Sequence, residues 1–242
     1  CVITFRKGIT WSDGTPFTAE DPAFMMKTLR DAAGTLSRGG VYVQELDDAV
    51  AVDDLNLKVT LKQPDFRLFF KSLTFRYDNG DDTVIQPKHV FESVAIADIP
   101  AYKVYDKEKG WPVSTGPYGV GDSNDQLTNY DLRPTWWAVE SGFVEKYPDV
   151  VRIQEQPFTN DTVAGQKLIN NEIDHPLDLR PMVVASLLAQ AGDHLDTWTG
   201  KQLPYGYTDW WPISVQFCTA KPPFDNPKVR WAISYAIDRE TL

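Results

Sequence analysis

Apolar residues recur at helical spacing in some stretches of the chain and alternate with polar residues in others. The clearest helical stripe lies near the end, where Asn226 and Pro227 precede it as an N-cap and a first helical residue. The stripe consists of Val229, Ala232, Ile233, Ala236 and Ile237. This spacing predicts a helix with one apolar side after residue 226.

Four further helices are predicted by the same criterion. The first begins at Thr18 and Asp21, which are spaced as in a capping box. Its predicted buried side consists of Phe24, Met25, Thr28 and Leu29. The others span 159–171 and 181–191, together with a short aromatic helix over 64–75.

Alternation of apolar and polar residues predicts the strands. The chain opens with a strand over 2–6, residues 41–63 look like paired strands with a polar turn at 53–56, and 120–132 reads as a surface hairpin. A further strand is predicted over 150–157. Because strands and helices alternate, the pattern favours a mixed α/β fold over an all-β sandwich.

Composition and charge limit the kinds of molecule that the protein can bind. The 242 residues are 42% hydrophobic, which is enough for one large or two ordinary domains with a substantial core. The net charge is −10 and no basic run occurs, so nucleic acid and anionic membrane surfaces are poor partners. No apolar run approaches the roughly 18 residues that a membrane-spanning helix needs. Two cysteines, Cys1 and Cys218, argue against a disulfide framework.

Candidate metal and catalytic groups are few. His89, His175 and His194 lie far apart in sequence, and the acidic stretches 78–82 and 122–131 lack the ligand order of a calcium loop. We therefore expect neither a metal nor a cofactor. No nucleophile elbow, phosphate-binding loop or dinucleotide-binding loop occurs, although composition alone leaves a Ser-His-Asp triad open.

The acidic pair Glu20 and Asp21 could serve as a general acid and base. Two carboxylates in the first turn of a helix are, however, what the helix dipole favours. The sequence therefore favours a structural role for this pair.

The strongest candidate for ligand binding is the aromatic stretch 202–212, which precedes a strand predicted over 213–218. Its aromatic faces could stack on sugar rings or cover peptide side chains, while its one acid could take a hydroxyl or an ammonium group. The predicted ligand-binding residues are Tyr205, Tyr207, Asp209, Trp210 and Trp211. An equally supported alternative is that the two tryptophans fill a core, since neighbours in an extended segment point to opposite faces.

Several segments together carry a resemblance to a known family. Residues 222–239 are similar to the P-P-F…V-R-x-A-I-x-x-A-I-D-R segment of the family 5 extracellular solute-binding proteins, the peptide, nickel and oligosaccharide receptors of ABC importers. Residues 5–21 resemble that family's L-R-K-G…D-G…T-A-E-D signature, 85–90 its I-P-K-H turn and 114–118 its G-T-G-P-Y turn. Residues 168–174 echo L-x-x-G-E-I-D. The matches fall in the family's order along the whole chain.

The resemblance implies a lobe like that of type II periplasmic binding proteins, with an extra subdomain. Residues 1–113 would form that extra α/β subdomain and 114–212 the core subdomain of the first lobe. Residues 213–242 would be the hinge strand and first helix of a second lobe that is otherwise truncated. We accordingly interpret Cys1 as an arbitrary starting point rather than a lipid-modified N-terminus, and we expect the stripe of the last helix to be exposed.

The function implied by the resemblance is that of a receptor rather than an enzyme. It would bind an oligopeptide or a short oligosaccharide between two lobes, in the periplasm or otherwise outside the cytoplasm, and deliver it as a monomer to membrane permease subunits of an ABC importer. Eight tryptophans favour a sugar, whereas peptide transport is the commonest activity of the family. Alternatives are a nickel or other small-solute receptor, a glycoside hydrolase domain that uses Asp209, and a scaffold without a ligand.

Overall fold

The computed structural model describes residues 1–32, 34–36, 39–65, 85–176, 179–191, 194–203, 205 and 214–238. The chain divides into two units, Cys1–Ala164 and Gly165–Leu242, and each is described by itself. The domain boundaries expected at 113/114 and 212/213 remain predictions.

The described elements follow one another in this order along the chain: β1 (Val2–Thr4), α1 (Glu20–Asp31), α2 (Gly39–Glu45), β2 (Leu46–Ala51), β3 (Asn56–Leu61), α3 (Lys88–Phe91), a 3-10 helix (Ile96–Ala101), β4 (Tyr118–Asn124), β5 (Leu127–Leu132), α4 (Trp137–Glu140), β6 (Arg152–Glu155), α5 (Asp161–Ile169), α6 (Pro181–Ala191) and α7 (Pro227–Ala236). None of these helices has both the length and the apolar content that crossing a bilayer requires.

The first sheet of the first unit is antiparallel, with the strand order β1-β3-β2. Its central strand β3 places Leu57 and Val59 on the inner face, where both are buried, while Lys58 between them is exposed. This period of two is what the sequence pattern predicted for the hairpin, which is confirmed. Helix α1 covers the inner face of the sheet, and the core contains Met25, Met26, Tyr42, Leu46, Ala49, Leu57 and Val59.

Helix α1 begins as the capping-box spacing predicted. The N–H of Thr18 donates to Asp21 Oδ2 at 2.9 Å, and the N–H of Glu20 donates to Thr18 Oγ1 at 3.3 Å. Pro22 lies in the first turn, where its missing N–H would have had no helical partner.

The interpretation of 41–63 as paired strands was wrong over its first five residues. Residues 39–45 form α2, and only from Leu46 onward does the chain pair as a strand. Tyr42 of α2 and Leu46, the first residue of β2, are 1% and 0% exposed, and both side chains lie in the same core. Packing therefore overrides the β propensity of Val41 and Val43.

The second sheet of the first unit has the strand order β4-β5-β6, again antiparallel. The hairpin predicted over 120–132 is confirmed as β4 and β5, and the strand predicted over 150–157 is confirmed as β6. The register shifts between Val120 and Ser123 in β4. Every residue of β6 is exposed, so this edge strand contributes pairing to the sheet and little to a core.

In the second unit the predicted helices are present. Asn226 caps α7 by accepting the N–H of Lys228 at 3.0 Å, with Pro227 at the first helical position. Within the stripe of α7, Val229 and Ile233 are half-buried and Ala236 is exposed.

The strand predicted over 213–218 and the elements predicted over 64–82 are not among the described helices and strands. Residues 214–218 pair with no strand in the described part of the chain, so the strand expected over 213–218 is absent there. The predicted aromatic helix lies outside the described residues from 66 onward, as does the acidic turn at 78–82.

We expect Leu57→Ala to lower the free energy of unfolding by about 2–5 kcal/mol, because it removes a fully buried side chain and leaves a cavity between α1 and the sheet. Val50→Ala on the neighbouring strand is the matched control, since Val50 is 43% exposed. Urea denaturation followed by circular dichroism measures both. Equal losses in the two variants would contradict the assignment of Leu57 to the core.

Candidate functional site

Two of the segments that carry the resemblance meet in the first unit. The N–H of Lys88 donates to Asp21 Oδ1 at 2.9 Å, and Lys88 Nζ lies 3.2 Å from Glu20 Oε2. His89 Nε2 lies 2.7 Å from Asp13 Oδ2. The helix start around residue 20 and the turn before α3 are thus joined by their own charged side chains.

These contacts decide between the two interpretations of Glu20 and Asp21. Asp21 is 4% exposed, and each of its oxygens accepts a backbone N–H, one from Thr18 and one from Lys88. A carboxylate that is enclosed and hydrogen-bonded in this way holds the backbone in place and cannot reach a substrate. The geometry supports the structural role.

A third family segment, 114–118, joins the same unit. The N–H of Ser114 donates to Ser12 Oγ at 3.2 Å. The next residue, Thr115, offers a carbonyl oxygen that accepts both indole N–H groups of an adjacent pair, Trp136 at 2.9 Å and Trp137 at 2.8 Å. Two donors occupy the two lone pairs of this oxygen, so both rings are fixed relative to the turn.

The outer face of this pair is aromatic and partly open. The ring of Phe143 stacks on Trp137 with a centroid separation of 5.7 Å and an interplanar angle of 9°. The guanidinium of Arg6 lies 3.8 Å from the centroid of the Phe143 ring, within cation–π range. Phe143 is 50% exposed, so part of this stack faces solvent.

Arg133, which directly follows β5, completes what we call the indole–arginine cluster: Ser114, Thr115, Arg133, Trp136 and Trp137. Its Nη2 donates to Ser114 Oγ at 3.1 Å, whereas its Nε is buried and makes no hydrogen bond with the described residues. Burial lowers the pKa of the Arg133 guanidinium from its ordinary value. None of these five residues was selected as a site residue from the sequence. The pair of adjacent tryptophans can be recognised in the sequence. Their shared hydrogen-bond acceptor, the carbonyl of Thr115, cannot.

Most of the predicted ligand-binding segment lies outside the described residues. This applies to Tyr207, Asp209, Trp210 and Trp211; Tyr205 is described and is half-buried. The five residues therefore stay a prediction. In the same unit, Trp198 is 80% exposed, an aromatic surface that the sequence analysis did not select.

The described residues contain no group of three His, Cys, Asp or Glu side chains placed to hold a metal ion. Cys1 and Cys218 are both free and exposed, and they are not paired with each other.

The comparison with protein families returns one match over residues 1–242, to the bacterial extracellular solute-binding proteins, family 5 Middle. Among curated proteins, the glutathione-binding protein GsiB of Shigella boydii is 27% identical over 99% of this chain, and that of Escherichia coli is 26% identical over the same share. This chain spans only 41% of the length of each of these relatives.

Solved structures give the same picture of the fold. The mannohexaose-bound periplasmic oligopeptide-binding protein of Thermotoga maritima superposes with a TM-score of 0.78 at 26% identity, over 99% of this chain and 40% of that one. NikZ of Campylobacter jejuni, in complex with Ni(L-His), superposes with a TM-score of 0.66 at 17% identity, over 99% of this chain and 42% of that one. The second similarity bears on the fold alone.

Asp13 generates a prediction about pH. Its partial burial acts to raise its pKa, but the N–H of Thr15 and the contact with His89 outweigh burial and hold the pKa of Asp13 below its ordinary value. A carboxyl group whose pKa is lower in the folded state stabilises the protein above its unfolded pKa of about 3.9 and loses that contribution as the pH falls through the folded value.

We expect Asp13→Asn to be less stable than the wild type at pH 7 by about 0.5–1 kcal/mol, with the difference shrinking as the pH falls below about 4. Urea denaturation between pH 3 and pH 7 measures this. Asp125→Asn, in the exposed turn between β4 and β5, is the control. A constant difference between Asp13→Asn and the wild type across this range would disprove the linkage.

Proposed function

Because this chain belongs to the bacterial extracellular solute-binding proteins of family 5, we propose that it is part of a receptor that binds a small solute outside the cytoplasm and delivers it to the permease of an ABC importer. The observation that carries the proposal is the family match over all 242 residues, which also confirms the resemblance inferred from the motifs. The fold agrees, since the neighbours in structure include the periplasmic oligopeptide-binding protein of Thermotoga maritima. We further propose that the receptor acts as a monomer.

The proposal covers two solute classes, peptides and short oligosaccharides. The glutathione-binding relatives support a peptide-like solute, and the mannohexaose-bound neighbour supports a sugar. Both are proteins of which this chain spans about two fifths, so the solute is carried over by similarity and has to be measured.

A receptor is favoured over the alternative of a glycoside hydrolase. The named relatives are binding proteins. No observation on the described residues favours the alternative of a nickel receptor.

For the binding surface we propose the aromatic segment predicted from the sequence, with Tyr205, Tyr207, Asp209, Trp210 and Trp211 as its ligand-contacting residues. Indole and phenol rings supply flat apolar faces with a polar edge, which suit both sugar rings and peptide side chains. The single carboxylate would accept a hydrogen bond from a hydroxyl or an ammonium group.

The test of function is isothermal titration calorimetry on the longest natural protein that carries this sequence. The solutes are glutathione, di- to pentapeptides and β-linked oligosaccharides, and we expect saturable binding of one class. Chromatography of the solute afterwards separates the alternatives: a receptor returns it intact, whereas a hydrolase releases shorter products. Absence of binding across all these solutes would contradict the proposal.

In the same protein, replacing one of Trp210 and Trp211 by Ala should weaken binding by about 1–3 kcal/mol, about ten- to a hundredfold, because a stacking partner is lost. The other replacement should matter less, since neighbours in an extended segment face opposite sides. Trp231→Ala serves as the control, because this indole is 62% exposed and lies in α7. If both replacements unfold the protein without changing the affinity of the folded fraction, the two tryptophans are core residues and the proposed surface is wrong.

A further inference from the structure

Among the arginines of the first unit that the structure describes, Arg133 is the one paired with neither a carboxylate nor an aromatic ring of the described residues. Arg152 pairs with Asp131, Arg30 pairs with Asp31, and Arg6 lies over an aromatic ring. The only hydrogen-bond partner of the Arg133 side chain in the described part of the chain is the neutral hydroxyl of Ser114.

This isolation is costly because Arg133 is partly desolvated. Its Nε is buried without an acceptor, and Nη1 makes no hydrogen bond with the described residues. Charged groups that are withdrawn from water are normally paired, and an unsatisfied buried donor is unfavourable. Nε is enclosed, so the donors left for an acceptor from outside are Nη1 and the second hydrogen of Nη2.

The guanidinium packs against the backbone of β4 at a position that has no side chain. A Cβ atom at Gly119 would lie 3.3 Å from Arg133 Nη2 and 3.4 Å from its Cζ, a tighter contact than is usual for a Cβ atom. The carbonyl of Thr115, the residue after Ser114, already accepts two indole N–H groups and has no lone pair left.

Ser114 adds a second donor at the same place. Its Oγ accepts from Arg133 Nη2, so the hydroxyl proton remains available to an external acceptor. The N–H of Ser114 donates to Ser12, which fixes the turn that carries the hydroxyl. A fixed guanidinium beside a fixed hydroxyl presents donors only, which is what a carboxylate, sulfate or phosphate oxygen requires.

We infer that Arg133 and Ser114 form a binding site for an oxyanion. The oxyanion has two possible sources, which share this chemistry: a carboxylate of a peptide-like solute, or a free inorganic anion. The first source rests on the proposed function; the second does not.

The first arm of the test uses free anions. Sodium acetate and sodium sulfate are added to the longest natural protein that carries this sequence, at constant ionic strength, and the unfolding temperature is measured. We expect the wild type and Arg152→Gln to be stabilised as either anion is raised, and Arg133→Gln and Ser114→Ala to be stabilised clearly less. Arg152→Gln is the matched control because it removes an arginine that already has a carboxylate partner in the same sheet.

The second arm uses solutes. Calorimetry compares glutathione with its diester, in which both carboxylates are masked, and with mannohexaose. If the site takes a carboxylate of the solute, the diester should bind the wild type at least about tenfold more weakly than glutathione, since a charge-assisted hydrogen bond contributes about 1.5–3 kcal/mol. Arg133→Gln should lose that discrimination and leave mannohexaose unaffected.

Ser114→Ala is included in case Arg133→Gln does not fold, because it keeps the positive charge of Arg133 and removes only the hydroxyl donor of the site. If free anions stabilise every variant equally, and glutathione and its diester bind the wild type alike, the oxyanion site is overturned while solute binding itself still supports the proposed function. If no solute binds but acetate or sulfate stabilises the protein through Arg133, the oxyanion site stands and the proposed function fails.

Discussion

The buried carboxylate of Asp21 is the contact on which the first unit depends. It accepts the N–H of Thr18 within its own helix start and the N–H of Lys88 from a segment 67 residues later. Both donors belong to backbone groups that would otherwise be unsatisfied in an enclosed place, so removing the acceptor would leave two orphan donors at once. The contacts of Glu20 with Lys88 and of His89 with Asp13 lie next to these two hydrogen bonds. They are more exposed to solvent and therefore contribute less to stability.

In the indole–arginine cluster, too, one acceptor group binds two donors. One carbonyl, that of Thr115, takes both indole N–H groups of the adjacent tryptophans and thereby fixes two large rings against the turn at 114–118. Arg133 donates to the hydroxyl of Ser114, the residue before Thr115, and this hydroxyl is the one hydrogen-bond partner of its side chain among the described residues. The contrast with Asp21 is clear, because each Asp21 oxygen accepts a backbone N–H, whereas Arg133 has one neutral partner among the described residues and donors left over.

Local chemistry accounts for the parts of the fold that could be predicted. The hairpin of β2 and β3, the hairpin of β4 and β5, and the caps of α1 and α7 follow from alternation, turn residues and side chains that bond their own backbone. The candidate site was less accessible to this reasoning. The aromatic segment at 202–212 was selected by composition, and four of its five proposed residues lie outside the described part of the chain. Arg133 was not selected, because a single arginine after a strand carries no signal.

The sequence by itself determined the family, the mixed α/β class and the positions of most strands and helices, since these depend on residues close together in the chain. The tertiary structure decided the remainder. It made 39–45 a helix, because Tyr42 and Leu46 share a core that no local propensity describes. It also showed that the acids of α1 are structural and that Arg133 has no counter-charge among the described residues, because both facts depend on partners that lie from 19 to 68 residues away along the chain.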